Sequence, residues 1–208
     1  TPIGQTFSTP LQVQVFDVDS RALSNIVVTF SAPNTGASAV LDAGGSATTN
    51  ASGIATLNAT ANMLAGTYNI MSAAGGAQAS LTLTNAKGSQ AALTASASPT
   101  NITYNGTTTL STSGGTGTGT VSYAVTAGAS NCSVVGSTVT GTGVGICTIT
   151  ATKVSDANYL ETTATVDINV NKANQTSLTA SASPSTIAFN GTTTLDAIGG
   201  SSGGAVSF

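Results

Sequence analysis

Histidine and tryptophan are absent from the 208 residues, and acids and bases together make only 5% of the chain, against roughly 25% in typical soluble proteins. Without histidine the side chain most often used as a general base near neutral pH is missing. No Ser–Lys or paired-carboxylate arrangement stands out to replace it, so the sequence points to no catalytic residues and to no cofactor. The four basic residues, Arg21, Lys87, Lys153 and Lys172, are scattered, and the formal net charge is −3. That leaves no phosphate-binding stripe and excludes nucleic acid as a partner. No apolar run approaches the roughly 20 residues of a membrane span. Neither an initiator Met nor a signal peptide opens the sequence, which reads as a mature or excised piece. Scarce charge with scarce apolar residues would mean disorder. Here 40% of residues are hydrophobic but only 4% aromatic, so a core is expected, built from Val, Ile, Leu and Ala.

Those apolar residues alternate. In Leu11-Gln-Val-Gln-Val15, Leu11, Val13 and Val15 share a face. Leu81 and Leu83 repeat the pattern, as do Val121, Tyr123 and Val125, and Ala164, Val166, Ile168 and Val170. Period-2 alternation with abundant β-branched residues predicts strands with one buried and one wet face. Asn, Gly and Ser clusters at 50–53, 74–76, 104–106 and 141–145 predict turns. No amphipathic helix is expected beyond a single turn at 155–159 capped by Ser155 or Asp156. Short strands at intervals of about 8–12 residues predict an all-β chain of antiparallel sandwiches.

One passage is written twice. Residues 90–123 and 175–208 align without a gap at an offset of 85, 175 minus 90, with about 20 of roughly 34 positions identical. The equivalent Lys87 and Lys172 mark junctions. The division expected is 1–85, with a clipped N-terminus, 86–171, and 172–208 as the incomplete first part of a third repeat. The junctions hold no long Gly/Pro/Ser linker, so neighbouring repeats are expected end to end with limited freedom.

The first repeat, with its Val28-Thr-Phe30 strand, the Asn50-Ala-Ser-Gly-Ile-Ala-Thr-Leu57 turn and strand, and Ala65-Gly-Thr-Tyr-Asn-Ile70, resembles the bacterial Ig-like domains of invasin- and intimin-type surface proteins. It departs from them at 17–25, where those domains more often have a plain Asp-Gly turn. The second repeat, through residues 131–159 and its exit at 166–176, is similar to another bacterial Ig-like repeat of long secreted proteins. The resemblance implies a tandem of Ig-like sandwiches in an extracellular, non-catalytic protein of the bacterial surface or medium. It implies no particular ligand.

Cys132 and Cys147, 15 residues apart, are the only cysteines. They flank a Gly-rich turn, which suggests neighbouring strands within disulfide reach. The spacing allows either a bridge or two buried thiols, and the export implied by the resemblance favours the bridge. Asp17 and Asp19 at a strand end, with Asp42 as a possible third, are the nearest approach to a Ca²⁺ site. Three acids do not fill six to eight positions, so a polar turn is the better expectation and no metal is expected. The function expected is that of a stalk or fibre body in a surface protein or adhesin, its partners being neighbouring repeats and other copies of itself. The alternatives are a filament subunit assembling by strand complementation, and a module binding carbohydrate or host protein through sandwich-end loops. The aromatic residues, read as mostly core-facing, speak against the last.

Overall fold

The computed structural model describes residues 1–208. Residues 1–85 contribute β1 (Leu11–Gln14), β2 (Val27–Ser31), β3 (Ala39–Leu41), β4 (Ser46–Thr48), β5 (Ile54–Leu57), β6 (Ala59–Ala61), β7 (Gly66–Ala74) and β8 (Ala77–Asn85). One layer pairs β1 with β5 and β3 with β6, where β5 and β6 are one extended run interrupted at Asn58. The other has the order β4-β2-β7-β8. All these pairs are antiparallel. Lettered B to G along the chain, with β3 and β4 as the two halves of one strand D, the layers are B-E-D and D-C-F-G, an immunoglobulin-like order in which strand D reaches both layers. The alternation read from the sequence supplies the core: Leu11, Val28, Phe30, Leu57, Tyr68 and Ile70 are buried between the layers. Full burial of a side chain such as Ile70 contributes about 1.5–3 kcal/mol.

One strand serves both layers. β3 pairs with β6, the chain kinks through the 3-10 turn Asp42–Gly45, and β4 then pairs with β2 on the other side. The kink requires glycine at position 45. Its φ is +77°, and a Cβ there would lie 2.4 Å from the Phe30 carbonyl oxygen.

Residues 86–171 contribute β9 (Leu93–Ser98), β10 (Asn101–Thr103), β11 (Thr107–Gly114), β12 (Val121–Ala127), β13 (Cys132–Val135), β14 (Thr138–Gly141), β15 (Gly145–Lys153) and β16 (Thr162–Asn171). Their sheets have the orders β13-β14-β11-β9 and β10-β16-β15-β12. These are D-E-B-A and A′-G-F-C, again the immunoglobulin arrangement. The short β10 pairs parallel to the end of β16, with Asn101 opposite Asn169 and Thr103 opposite Asn171. Ile102, Leu110, Val139, Ile149, Ile168 and Val170 are buried.

From 172 onward the regular structure is one hairpin, β17 (Leu178–Ser183) against β18 (Thr194–Gly199). It repeats the earlier backbone closely. Strand β17 falls at the offset of 85 from β9, Asn105 and Asn190 both have φ of 63°, and the Thr193 hydroxyl donates to the Pro184 carbonyl as Thr108 does to Pro99. Burial is not repeated. Leu178 and Leu195 are 55% and 49% exposed, where Leu93 and Leu110 are 9% and 4%.

By their contacts the residues form two compact units: Thr1–Ser96 with Leu110–Ala124 and Ile149–Val166, and Ala97–Thr109 with Val125–Thr148 and Asp167–Phe208. Two expectations need correction. Residues 155–159 form no helical turn. The aromatics are not mostly in the core: Phe30 and Tyr68 are buried, but Phe16, Tyr104, Phe189 and Phe208 are about half exposed or more.

Candidate functional site at the junction of residues 85 to 90

The densest polar arrangement lies where β8 ends. Leu81, Leu83 and Asn85 share the inward face of β8, so the strand closes with an amide inside the sandwich. Asn85 is 1% exposed. Its Nδ2 donates to the carbonyls of Ser38 (2.9 Å) and Leu64 (3.1 Å) and to Asn62 Oδ1 (3.1 Å), and its Oδ1 accepts from the Tyr68 hydroxyl at 3.0 Å. Burial raises the Tyr68 pKa. The Asn62 amide also donates to Gly36. One buried side chain thereby holds the loops 33–38 and 62–65 against the end of β8.

The loop 62–65 is presented in turn to residues 156–160. Asp156 Oδ1 accepts from the backbone N–H groups of Asn158 and Tyr159, both at 2.8 Å. This is the side-chain turn that short acids favour, and it takes the place of the expected helical cap. Asp156 Oδ2 accepts from the N–H and hydroxyl of Thr118 at 2.6 and 3.0 Å. The Thr118 N–H first, then those of Asn158 and Tyr159, hold the Asp156 carboxyl down to a pKa of about 2. The turn aims Asn158 Oδ1 at the Ala65 N–H, 2.9 Å away.

Gly88 completes the arrangement. Its N–H donates to the Asn158 carbonyl and its carbonyl accepts from Leu160, both at 2.9 Å. It is buried, and a Cβ at this position would meet Ile3 Cγ1 at 2.9 Å and Tyr159 Cδ1 at 3.9 Å. Gln90 ties the next step, donating to Leu160 and accepting from Gly117. The Gly-rich stretch 113–119 is therefore part of this junction. Asn85, Gly88, Gln90, Thr118 and Asn158 were not singled out in the sequence.

The singled-out residues lie elsewhere. Cys132 and Cys147 are disulfide-bonded, with Cα atoms 6.1 Å apart. They are not on neighbouring strands: β13 pairs with β14, and β15 belongs to the other sheet. The immunoglobulin bridge usually joins strands B and F; this one joins D and F. Asp17 Oδ1 accepts from the N–H groups of Asp19 and Arg21, and Asp19 pairs with Arg21 at 3.6 Å, both exposed. Asp42 opens the 42–45 turn. No group of three or more acids, cysteines or histidines is placed to hold a metal ion, and no helix is long and apolar enough to cross a membrane. The junction offers amides, carbonyls and one carboxylate, all engaged with one another, which suits holding rather than reacting.

No protein-family model matches the chain, and no curated protein is similar to it. Among solved structures it is similar to the C-terminal 282-residue fragment of intimin, in complex with the intimin-binding domain of the translocated intimin receptor. The identity is 21% over 84% of this chain and 60% of that one, with a TM-score of 0.35. It is similar to InvD of Yersinia pseudotuberculosis at 17% identity over 86% and 59%, TM-score 0.33. It is similar to FdeC, an Escherichia coli adhesin, at 14% identity over 87% and 64%, TM-score 0.39. The chain thus spans about six-tenths of the length of these proteins.

Proposed function

We propose that residues 1–208 are a non-catalytic structural segment, a stalk or fibre body, of a bacterial extracellular surface protein. Its repeats are 1–85, 86–171 and the opening of another from 172. The observation that carries this reading is the repetition of backbone without a site. The passage 93–114 and its counterpart 178–199 share the bounds of their first strand, the left-handed Asn and the Thr-to-Pro hydrogen bond. What recurs is scaffolding, and a segment that works through length gains from repeating it. Resemblance of the sequence to invasin- and intimin-type domains supports the surface location.

Stretching single molecules through their termini tests the mechanical role. Two resisting events are expected before full extension. The event from residues 86–171 should lengthen on reduction by the 15 residues that the bridge spans, or about 50 Å at roughly 3.3–3.6 Å per residue. Extension without resisting events would refute the reading, as would micromolar binding on a glycan array to a module meant to hold distance.

A further inference from the structure

The junction at Gly88 is more than two strands joined by a short connection. Both backbone groups of Gly88 are bonded to the 156–160 loop, a side chain of that loop reaches Ala65, and Asp156 and Gln90 fix the loop's own shape. We infer that residues 156–160 are a plug, that Ile3, Asn62–Ala65 and Gly88 form its socket, and that this closed joint sets the stiffness of the chain between residues 85 and 90. The interaction surface is the socket, and the partner it takes is a loop of the Asp-Ala-Asn-Tyr kind. The socket recognises the loop mainly through backbone groups: the Ala65 N–H and both polar atoms of Gly88.

The second junction differs in the residue that matters most. At the offset of 85, Gly88 becomes Ala173 and Lys87 becomes Lys172. Gly88 is buried between Ile3 and Tyr159 with no space for a methyl group, whereas Lys172 and Ala173 are exposed. The first joint is closed by residues 156–160, whereas the counterpart of that loop at the offset of 85 lies beyond residue 208, so Lys172 serves as an open reference within the same chain. This deepens the structural reading and rests on it only for its purpose, since protection of the joint can be measured whatever the chain does.

Trypsin reads the difference directly, because the chain has four cleavage sites, after Arg21, Lys87, Lys153 and Lys172. A protease needs an extended, released backbone, and in the rapid-opening regime cleavage follows the population of the open state. In limited digestion of the full chain, cleavage after Lys172 should precede cleavage after Lys87 by at least about tenfold. Asn158→Ala removes the acceptor for Ala65 and should speed cleavage after Lys87 by about five- to tenfold. It should leave Lys172 unchanged. Asn158→Asp keeps an acceptor oxygen and should keep the protection. Equal rates at Lys87 and Lys172 in the wild type would overturn the inference. So would an Asn158→Ala variant with unchanged cleavage after Lys87, or one that accelerates Arg21 and Lys172 equally, which would make Asn158 a general stabiliser. A stretched molecule that offers no resistance while Lys87 stays protected would remove the stalk and leave the joint.

Discussion

Asn85→Asp changes one atom's chemistry at the most buried polar position of the first repeat. The two side chains are nearly the same size, so no cavity confuses the result. Asn85 Nδ2 faces three acceptors, the carbonyls of Ser38 and Leu64 and Oδ1 of Asn62. The substitution puts an acceptor where both donor hydrogens were. An ionised side chain loses both donated hydrogen bonds and a protonated one keeps a single O–H donor, so at least one bond at about 1 kcal/mol is lost and the abandoned oxygens are left without a donor. Keeping the carboxylate ionised would cost several kcal/mol more, so the variant takes up a proton in the fold. The expected loss at pH 7 is about 3–5 kcal/mol, which at about 4–8 °C per kcal/mol for a unit of this size is a fall of well over 10 °C. A carboxyl disfavoured in its charged form has a folded pKa above the unfolded value of about 3.9. The ionisation part of the penalty is therefore absent below pH 4 and grows as pH rises through the folded pKa. Asn85→Ala should be destabilising too, but without this pH dependence. Urea unfolding at pH 7 and pH 4, followed by circular dichroism, compares the three proteins. An aspartate variant within about 1 kcal/mol of wild type at pH 7, or a deficit that does not shrink at pH 4, would refute the reasoning.

Reduction, or replacement of Cys132 and Cys147 by alanine, should cost about 3 kcal/mol for a loop of this length; native protein alkylated without reductant should take up no label, and two labels would contradict the bridge. Gly88→Ala forces a methyl group onto Ile3 and should cost about 1–3 kcal/mol, partly restored in combination with Ile3→Ala; a neutral Gly88→Ala in thermal melts would mean that Ile3 moves aside freely. Asp156 sits at about 2 against an ordinary 3.8. Its contribution is therefore complete above about pH 4 and is lost as pH falls through 2. The Thr118 amide resonance should titrate with that low midpoint, and a midpoint near 4 would show that the bonds to Asp156 do not form in solution.

The strands were legible because their faces differ: Leu11, Val13 and Val15, and Ala164 through Val170, point inward as the alternation requires. Asn85 left a signal of the same kind, a polar residue at the inward parity after Leu81 and Leu83. Its four partners come from three other segments, so its role could not be read locally. The cysteine pair was legible as a pair, but not as a bond between layers. Alternation says which face a residue occupies, not which sheet its strand joins. Asp156 was seen as a cap. Its partner Thr118 is far away in sequence, and Asn158 looks like any turn asparagine until Ala65 is beside it. The exposed aromatics were misread because alternation assigns Phe16 or Tyr104 a side without showing where the covering layer stops.

The kinked strand that passes from β6 to β2 acts as a stitch. To slide the two layers of residues 1–85 past one another, hydrogen bonds must break on both sides of Gly45 at once. In residues 86–171 the backbone crosses at another strand, from β9 in one layer to β10 in the other, while the corresponding strand, β13, stays within one layer and Cys132 fastens it to β15 in the other. The same strand is tied across the sandwich twice over, once by the course of the backbone and once by sulfur. The two ties answer to different surroundings. A thiol reductant opens only the sulfur seam: residues 1–85 keep their tie, and residues 86–171 keep the β9-to-β10 crossing but lose the hold on β13.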